Sequence, residues 1–278
     1  MSAIDLYKEG KLDEAIAAAT AEVKSHPTDV AARGLLAELL CLAGDLQRAD
    51  KHLDALGLQD PQIAVTLALF RQLIRAETSR REFFEQGRLP EFLGQPCDCL
   101  RLHLEASIAI RDGKLDEAAE LLERAEQHRK PAAGRCGDEP FNDFRDLDDT
   151  MSGFFEVLTS TGKYFWIATD CIETIEFKKP AQIRDLLWRE VRMVVCGGPD
   201  GEVFLPVTYH GSHQSDEDDL RLGRSTDWHG DEGHPIIGSG QRMFMVGEHA
   251  RTILELEEIN FDNPRTVSPD ETDGPDEE

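Results

Sequence analysis

The feature that most restricts how this chain can fold is a short motif that returns. Gly10-KLDE-Ala15, Gly44-DLQR-Ala49 and Gly113-KLDE-Ala118 each set a glycine five positions before an alanine. Proline follows 12 residues after the first two alanines, at Pro27 and Pro61, and 13 after the third, at Pro131. Each residue has a mechanical part. Glycine takes the turn that ends one helix, alanine lets the next helix pack closely, and proline stops it.

Gly10 and Gly44 are 34 residues apart, the period of a tetratricopeptide repeat, and the 69 residues from Gly44 to Gly113 leave room for one degenerate copy. Apolar residues recur at helical intervals in the second helices, as in Leu12, Ala15, Ile16, Ala19 and Val23, and again in Leu115, Ala118, Ala119, Leu122 and Ala125. Residues 1–135 are therefore expected to form a TPR-like α-solenoid of helix pairs, with Gly44 and Gly113 between paired helices. The apolar stretch from Pro61 to Ala76 reads as a central helix covered on both sides. So few repeats sit near the minimum for a free-standing array, and the rest of the chain is expected to cap it.

Past Lys130 to Pro140 the helical period fades. Hairpins are expected over Phe154 to Thr169, turning at Thr161-Gly162, and over Val191 to Tyr209, turning at Gly197 to Gly201. Arg242 to Gly247 and Thr252 to Phe261 read as a further antiparallel pair, the second with some helical character. Phe141 to Met151 and Pro180 to Trp188 read as helices. The fold class is α+β in two domains with separate cores: the α-solenoid over 1–135, then an α+β domain of mainly antiparallel strands over 136–261. All three tryptophans fall in the second. Residues 262–278, rich in Pro, Gly, Asp and Glu, read as a disordered acidic tail whose removal at about residue 263 leaves stability unchanged.

The formal charge of -25 opposes the phosphate backbone, so nucleic acid is not an expected partner. No apolar run reaches the roughly 20 residues of a membrane helix, and the N-terminus lacks secretory-signal features, so a cytoplasmic location is expected. Six dispersed cysteines suit reduced thiols.

Motifs for chemistry are weak. His210, His213, His229 and His234 lie near carboxylates without the spacing of a metal site, and Cys97-Asp-Cys99 has no second pair, so no metal is expected. Gly238-Ser-Gly240 lacks the context of a dinucleotide fingerprint and reads as a tight turn, so no cofactor is expected. Ser212, His213 and Asp216 lack a nucleophile elbow. Arg224 and Asp227 are close enough to pair, Arg242 is placed to meet an acid of the same loops, and Trp228 to stack under a guanidinium.

A divergent tetratricopeptide half followed by WREVRMVVCGGPDGEVFLPVTY (188–209), LGRSTDW (222–228) and GSGQRMFMVGE (238–248) resembles the ImpE/SciE/TagJ family of type VI secretion accessory proteins. The likeness runs from about residue 3 to Phe261. It implies a non-enzymatic adaptor that binds the N-terminal helical region of the small contractile-sheath subunit and influences sheath assembly or disassembly, with an indirect link to the disassembly ATPase. Helix-pair repeats suit capture of an amphipathic helix. Candidate partner contacts are Arg33, Ala37 and Leu40 in the second repeat, and Arg224, Asp227, Trp228 and Arg242 in the later loops. The alternative is a hydrolase or metal-dependent enzyme with its site in the 209–242 loops.

Overall fold

The structure, a computed structural model, describes residues 1–59 and 61–267. Helices α1 (Ala3–Lys8) and α2 (Leu12–Ser25), then α3 (Val30–Leu42) and α4 (Leu46–Gln59), form the first two pairs. A single long helix, α5 (Ala64–Gln86), follows, and α6 (Asp98–Arg111) and α7 (Leu115–His128) form the last pair. Gly10, Gly44 and Gly113 sit between paired helices with φ of 81°, 81° and 75°, the left-handed region that glycine enters freely. Leu12 and Ala15, Leu46 and Ala49, and Ala118 turn into the core just after those glycines. The degenerate middle copy is not a helix pair. Its place is taken by α5 and by the loop from Gly87 to Cys97, in which Glu91 bonds backbone to backbone with Tyr164 and Trp166.

The second half is built on strands β1 (Gly134–Cys136), β2 (Glu139–Phe141), β3 (Phe144–Asp146), β4 (Phe154–Leu158), β5 (Tyr164–Ala168), β6 (Ile172–Phe177), β7 (Trp188–Val195) and β8 (Asp200–Pro206). After a short helix α8 (Asp218–Arg221) come β9 (Thr226–His229), β10 (Ile237–Gly240), β11 (Met243–Val246), β12 (His249–Thr252) and β13 (Glu258–Phe261). An antiparallel sheet runs β2-β1-β13-β6-β7-β8-β4-β5, beside a three-stranded sheet β12-β11-β3 and a ribbon β10-β9. Both expected hairpins are present: Leu158 faces Tyr164 across β4–β5, and Trp188 faces Pro206 across β7–β8.

Three expectations fail for local reasons. Phe141 to Met151 holds the end of β2, all of β3 and a 3-10 turn at Asp149–Met151, because Phe141 and Phe144 bury in sheets and Asp148 caps Thr150. Pro180 to Trp188 holds only a 3-10 turn, Ile183–Leu186, before Trp188 enters β7. Thr252 to Phe261 is split: Thr252 closes the β11–β12 hairpin, while β13 leaves to pair with β1 and β6.

Strand β4 is buried at all five positions because it lies between two layers. Alternation sends Phe155 to one side, stacked at 5.6 Å on Phe144 and 5.5 Å on Phe244, whereas Phe154 and Glu156 point to the other, toward α5 and α6. The two halves do not have separate cores. Among the described residues one apolar cluster runs from Leu6 and Leu12 through Phe70 and Phe83 to Trp166, Trp188 and Ile259, and α6 and α7 add a small second one between themselves.

The segment read as a tail begins with docked residues. Arg265 makes a two-pronged ion pair with Asp170 at 2.9 and 3.0 Å, the Val267 amide donates to the Cys196 carbonyl at 2.9 Å, and the Val267 side chain packs on the core. Residues 268–278 lie outside the described part. Ending the chain at Val267 keeps every contact described here and is expected to leave the melting temperature unchanged. Ending it at Asn263 removes the Val267 contact and the half-exposed pair, at a cost of about 1–2 kcal/mol or roughly 3–6 °C. Differential scanning calorimetry of both truncations measures the difference, and equal melting temperatures would show that residues 264–267 contribute nothing.

Candidate functional site

Where α5 meets the sheets, the protein buries a connected set of charges. Arg80, on the inner face of α5, donates from Nε and Nη2 to the two carboxylate oxygens of Glu156 at 2.8 and 3.0 Å, and from Nη2 to the Thr208 carbonyl at 3.1 Å. Glu77, one turn earlier, meets Arg80 at 3.4 Å and Arg81 at 3.2 Å, and accepts from the Trp188 indole at 3.4 Å. On the far side of Glu156, Arg242 approaches at 3.3 Å and reaches on to Asp146 at 2.6 and 3.1 Å. The Tyr164 hydroxyl donates to Glu156 at 2.6 Å and accepts from the Trp166 indole; the Tyr209 hydroxyl donates to Asp146 at 2.8 Å and accepts from the Met243 amide. Arg242 and Glu156 are 0% exposed and Asp146 is 1% exposed.

Desolvation and pairing compete at each group. Burial works against the Arg80 charge, but Glu156 and Glu77 outweigh it and hold its pKa above the ordinary arginine value. For Glu156 burial is likewise overcome, by Arg80 and Arg242, and its carboxyl stays below the usual range. Asp146 goes the other way, raised by burial despite Arg242. Asp148, which caps Thr150 and accepts from the Gly238 amide, is pushed up to about 7 by burial and by the charge of Asp146. Each of these groups is committed to a neighbour. The arrangement fixes α5, β3, β4 and β11 against one another, the task a satisfied buried polar network performs well, and offers no free nucleophile.

A second set of contacts closes the outer edge. The Asp218 carboxylate accepts from the Leu12 amide at 3.0 Å, Arg221 pairs with Asp13 at 2.9 Å, and Arg224 donates to the Tyr7 carbonyl at 2.7 Å with its guanidinium over the Tyr7 ring. His213 packs so close to Gly44 that a β-carbon there would stand 2.2 Å from its ring. The 209–225 loop thus clasps the turns of the first two helix pairs.

The structure separates most of the residues singled out from sequence. Arg224 pairs with the Tyr7 carbonyl and not with Asp227, which is exposed beside His229 at 4.0 Å. Arg242 meets Asp146 and Glu156, far back in sequence, instead of an acid of its own loops. Trp228 lies edge-on to Tyr209 at 5.7 Å and under no guanidinium. Ala37 and Leu40 are 0% and 1% exposed, so they belong to the core and cannot line a surface groove. Arg33 is half-buried, donating to the Pro27 carbonyl at 2.7 Å.

Ser212 donates its hydroxyl to the Tyr209 carbonyl and accepts from the Gly240 amide, so it is buried and engaged, while Asp216 is exposed. The four histidines scatter: His210 stacks on Phe84, His213 on Gly44, His229 is exposed and His234 is 3.4 Å from Asp116. Among the described residues no group of three His, Cys, Asp or Glu is placed to hold a metal ion. Gly238 and Gly240 are strand residues rather than a turn, needed because β-carbons there would strike the Tyr209 ring and the Ser225 carbonyl. No motif or spacing in the sequence points to Glu77, Arg80, Asp146, Asp148 or Glu156. A lone acid inside the apolar strand FFEVL was the available signal.

Residues 138–260 match the family model described as ImpE protein, and residues 6–70 match one described as tetratricopeptide repeat. The type VI secretion system accessory component TagJ of Pseudomonas aeruginosa is 29% identical over 262 residues, covering 94% of this chain and 92% of the relative. The crystal structure of a Vibrio parahaemolyticus protein superposes with a TM-score of 0.87 at 27% identity, covering 94% of this chain and 97% of that one.

Proposed function

We propose, from the match of residues 138–260 to the ImpE model and of residues 6–70 to the tetratricopeptide one, that this chain is an ImpE-family protein acting as a non-enzymatic, cytoplasmic adaptor of a type VI secretion system. The observation that carries the reading is the extent of the likeness to TagJ, which spans 92% of that relative and so includes both halves. No described helix is long and apolar enough to cross a membrane. The engaged Ser212 and the scattered histidines favour binding over catalysis.

The partner in this proposal is the N-terminal helical region of the small contractile-sheath subunit, held through apolar anchors at helical spacing. Through it the adaptor influences sheath assembly or disassembly, and any link to the disassembly ATPase is indirect. Arg33, Arg224, Asp227 and Trp228 are the candidates with accessible surface, whereas Ala37, Leu40 and Arg242 act by holding the scaffold.

Calorimetric titration with a peptide from that region tests the proposal. Replacing one apolar anchor of the peptide by Asp is expected to weaken binding about a hundredfold or more, because a charge would enter a desolvated site. His229→Ala, in an exposed loop, is expected to change affinity by less than about threefold. Absence of any binding, or loss in His229→Ala with the Asp-bearing peptide still bound, contradicts it.

A further inference from the structure

Of the large apolar side chains among the described residues, Val65 at 84% and Leu58 at 82% are the most exposed. The packing of their helices brings them onto one face. Helices α4 and α5 run antiparallel, since Arg71 of α5 reaches both Asp50 and Asp54 of α4 at 2.7 Å, and a β-carbon on Gly57 would stand 3.7 Å from the Leu67 side chain. Leu58, one turn past Asp54, therefore stands beside the first turns of α5. By helical spacing, Leu58 on α4 and Ala64, Val65 and Ala68 on α5 turn away from the stripes that bury Leu53 and Phe70, and all four are exposed. The small Ala64 and Ala68 make a shallow floor between two tall side chains.

The same face turns cationic two helical turns away. Lys51 comes seven residues before Leu58 and Arg75 seven after Ala68, and in an antiparallel pair both displacements run the same way, by about 10 Å. Both side chains are exposed, and no described carboxylate pairs with either. Asp50 and Asp54 of the same helix pair are already held by Arg71. In a chain of formal charge -25, two cations left without an acid beside an uncovered apolar patch set this face apart from the rest of the surface.

We propose that this outer face of α4 and α5 is where the partner's helix docks, and that the helix is acidic as well as amphipathic. The inference rests on the adaptor reading and gives it a place and a charge. Apolar anchors of the incoming helix fit over Ala64 and Ala68 between Leu58 and Val65, as a ridge of one helix fits the hollow between residues of another. Carboxylates two turns from those anchors, at i+7 or i+8, then meet Lys51 and Arg75. Complementary charge at that end fixes which way the helix runs, whereas the apolar end supplies most of the affinity. A second copy of this chain fits less well, because the same face would bring Lys51 and Arg75 no unpaired acid.

The test titrates the full chain, in low and in high salt, with the peptide from the N-terminal region of the small sheath subunit. Leu58→Asp and Val65→Asp alter exposed positions, so both variants are expected to fold, as circular dichroism confirms, and to weaken binding about tenfold or more. Lys51→Glu combined with Arg75→Glu is expected to weaken it about three- to tenfold, and the loss shrinks as salt rises. A peptide whose acids at that end are replaced by lysine is expected to bind the doubly reversed variant better than the wild type. A general disturbance of the fold would give no such rescue. If the unaltered peptide binds the wild type and all these variants alike, the docking face is overturned and the adaptor reading stands. If it does not bind the wild type at all, the adaptor reading fails and this inference fails with it. Self-association of the wild type, seen by sedimentation and abolished by Val65→Asp, would assign the face to a second copy and overturn the proposal.

Discussion

Replacing Arg242 by Ala is expected to cost about 3–5 kcal/mol, the loss typical of breaking a buried ion pair from one side. The reason lies in what remains. Asp146 and Glu156 are at most 1% exposed, and Arg242 supplies the closest cationic donors to Asp146. Without it a carboxylate already strained upward by burial has only Tyr209 and a backbone amide to lean on. For a chain of this size the loss corresponds to a melting temperature lower by on the order of 10 °C. A double change, Arg242→Met with Asp146→Asn, removes both charges and is expected to cost less than the single Arg242→Ala change. Urea unfolding of the three proteins measures this. A single-variant cost below about 1 kcal/mol would show that the network is relaxed by water or by side-chain movement.

Acid is expected to destabilise the protein from pH 7 down to 4.5, above the range centred near 4 where ordinary carboxylates titrate. His103, His210 and His213 are held near 4, 3 and 4 respectively, each chiefly by burial, with Arg80 and Arg81 adding to the effect on the last two. In the unfolded chain each regains a pKa near 6.5. Unfolding then takes up three protons between about pH 6.5 and 4, and stability falls as pH falls through that window. Asp148 opposes them. With a folded pKa of about 7, raised by burial and by Asp146, it carries a proton that the unfolded form lacks above about 4. Asp146, also raised, adds to that opposition at the acid end. Three protons against one leaves a net uptake of about two, or about 2–3 kcal/mol per pH unit at the steepest point. Urea midpoints from pH 7 to 4.5 are expected to drop steadily, and His103→Phe is expected to flatten the curve by about one proton. A midpoint independent of pH over that range would contradict the burial assigned to these histidines.

The helix pairs were legible because the Gly-Ala-Pro spacing acts locally. Gly10, Gly44 and Gly113 take their positive φ whatever they pack against, and the hairpins at Thr161-Gly162 and Gly197 to Gly201 declare themselves in the same way. The failures arise where distant partners decide. Phe141 to Met151 reads as a short helix, but strands supplied from residues 134–136 and 243–246 draw Phe141 and Phe144 into sheets. Helix α5 shows the same limit, since nothing in its own period reveals that it replaces a whole helix pair.

The candidate site was less legible still. Arg80 pairs across 76 residues with Glu156, and Arg242 across 96 with Asp146, so no spacing rule links them. Sequence proximity points Arg242 to a local partner, and Arg224 likewise, whereas the Arg224 acceptor at Tyr7 lies 217 residues away. Ala37 and Leu40 erred in the other direction. A helix that is apolar around most of its circumference gives no sign of which stripe stays open, and here both residues went inward.

The central claim is that repeats and sheets form one cooperative body, joined by a shared core and a buried charge network, so that the protein presents a single rigid surface. The three tryptophans, Trp166, Trp188 and Trp228, all lie in the sheet half, whereas the long helices lie in the repeat half. Urea unfolding followed at once by circular dichroism at 222 nm and by tryptophan fluorescence therefore compares the loss of the helices with the exposure of the sheet half, Trp228 lying away from α5 and Trp166 and Trp188 against it. The account predicts superimposable transitions with one midpoint. Two resolved midpoints, with the helical signal lost while the tryptophans stay buried or the reverse, would contradict it.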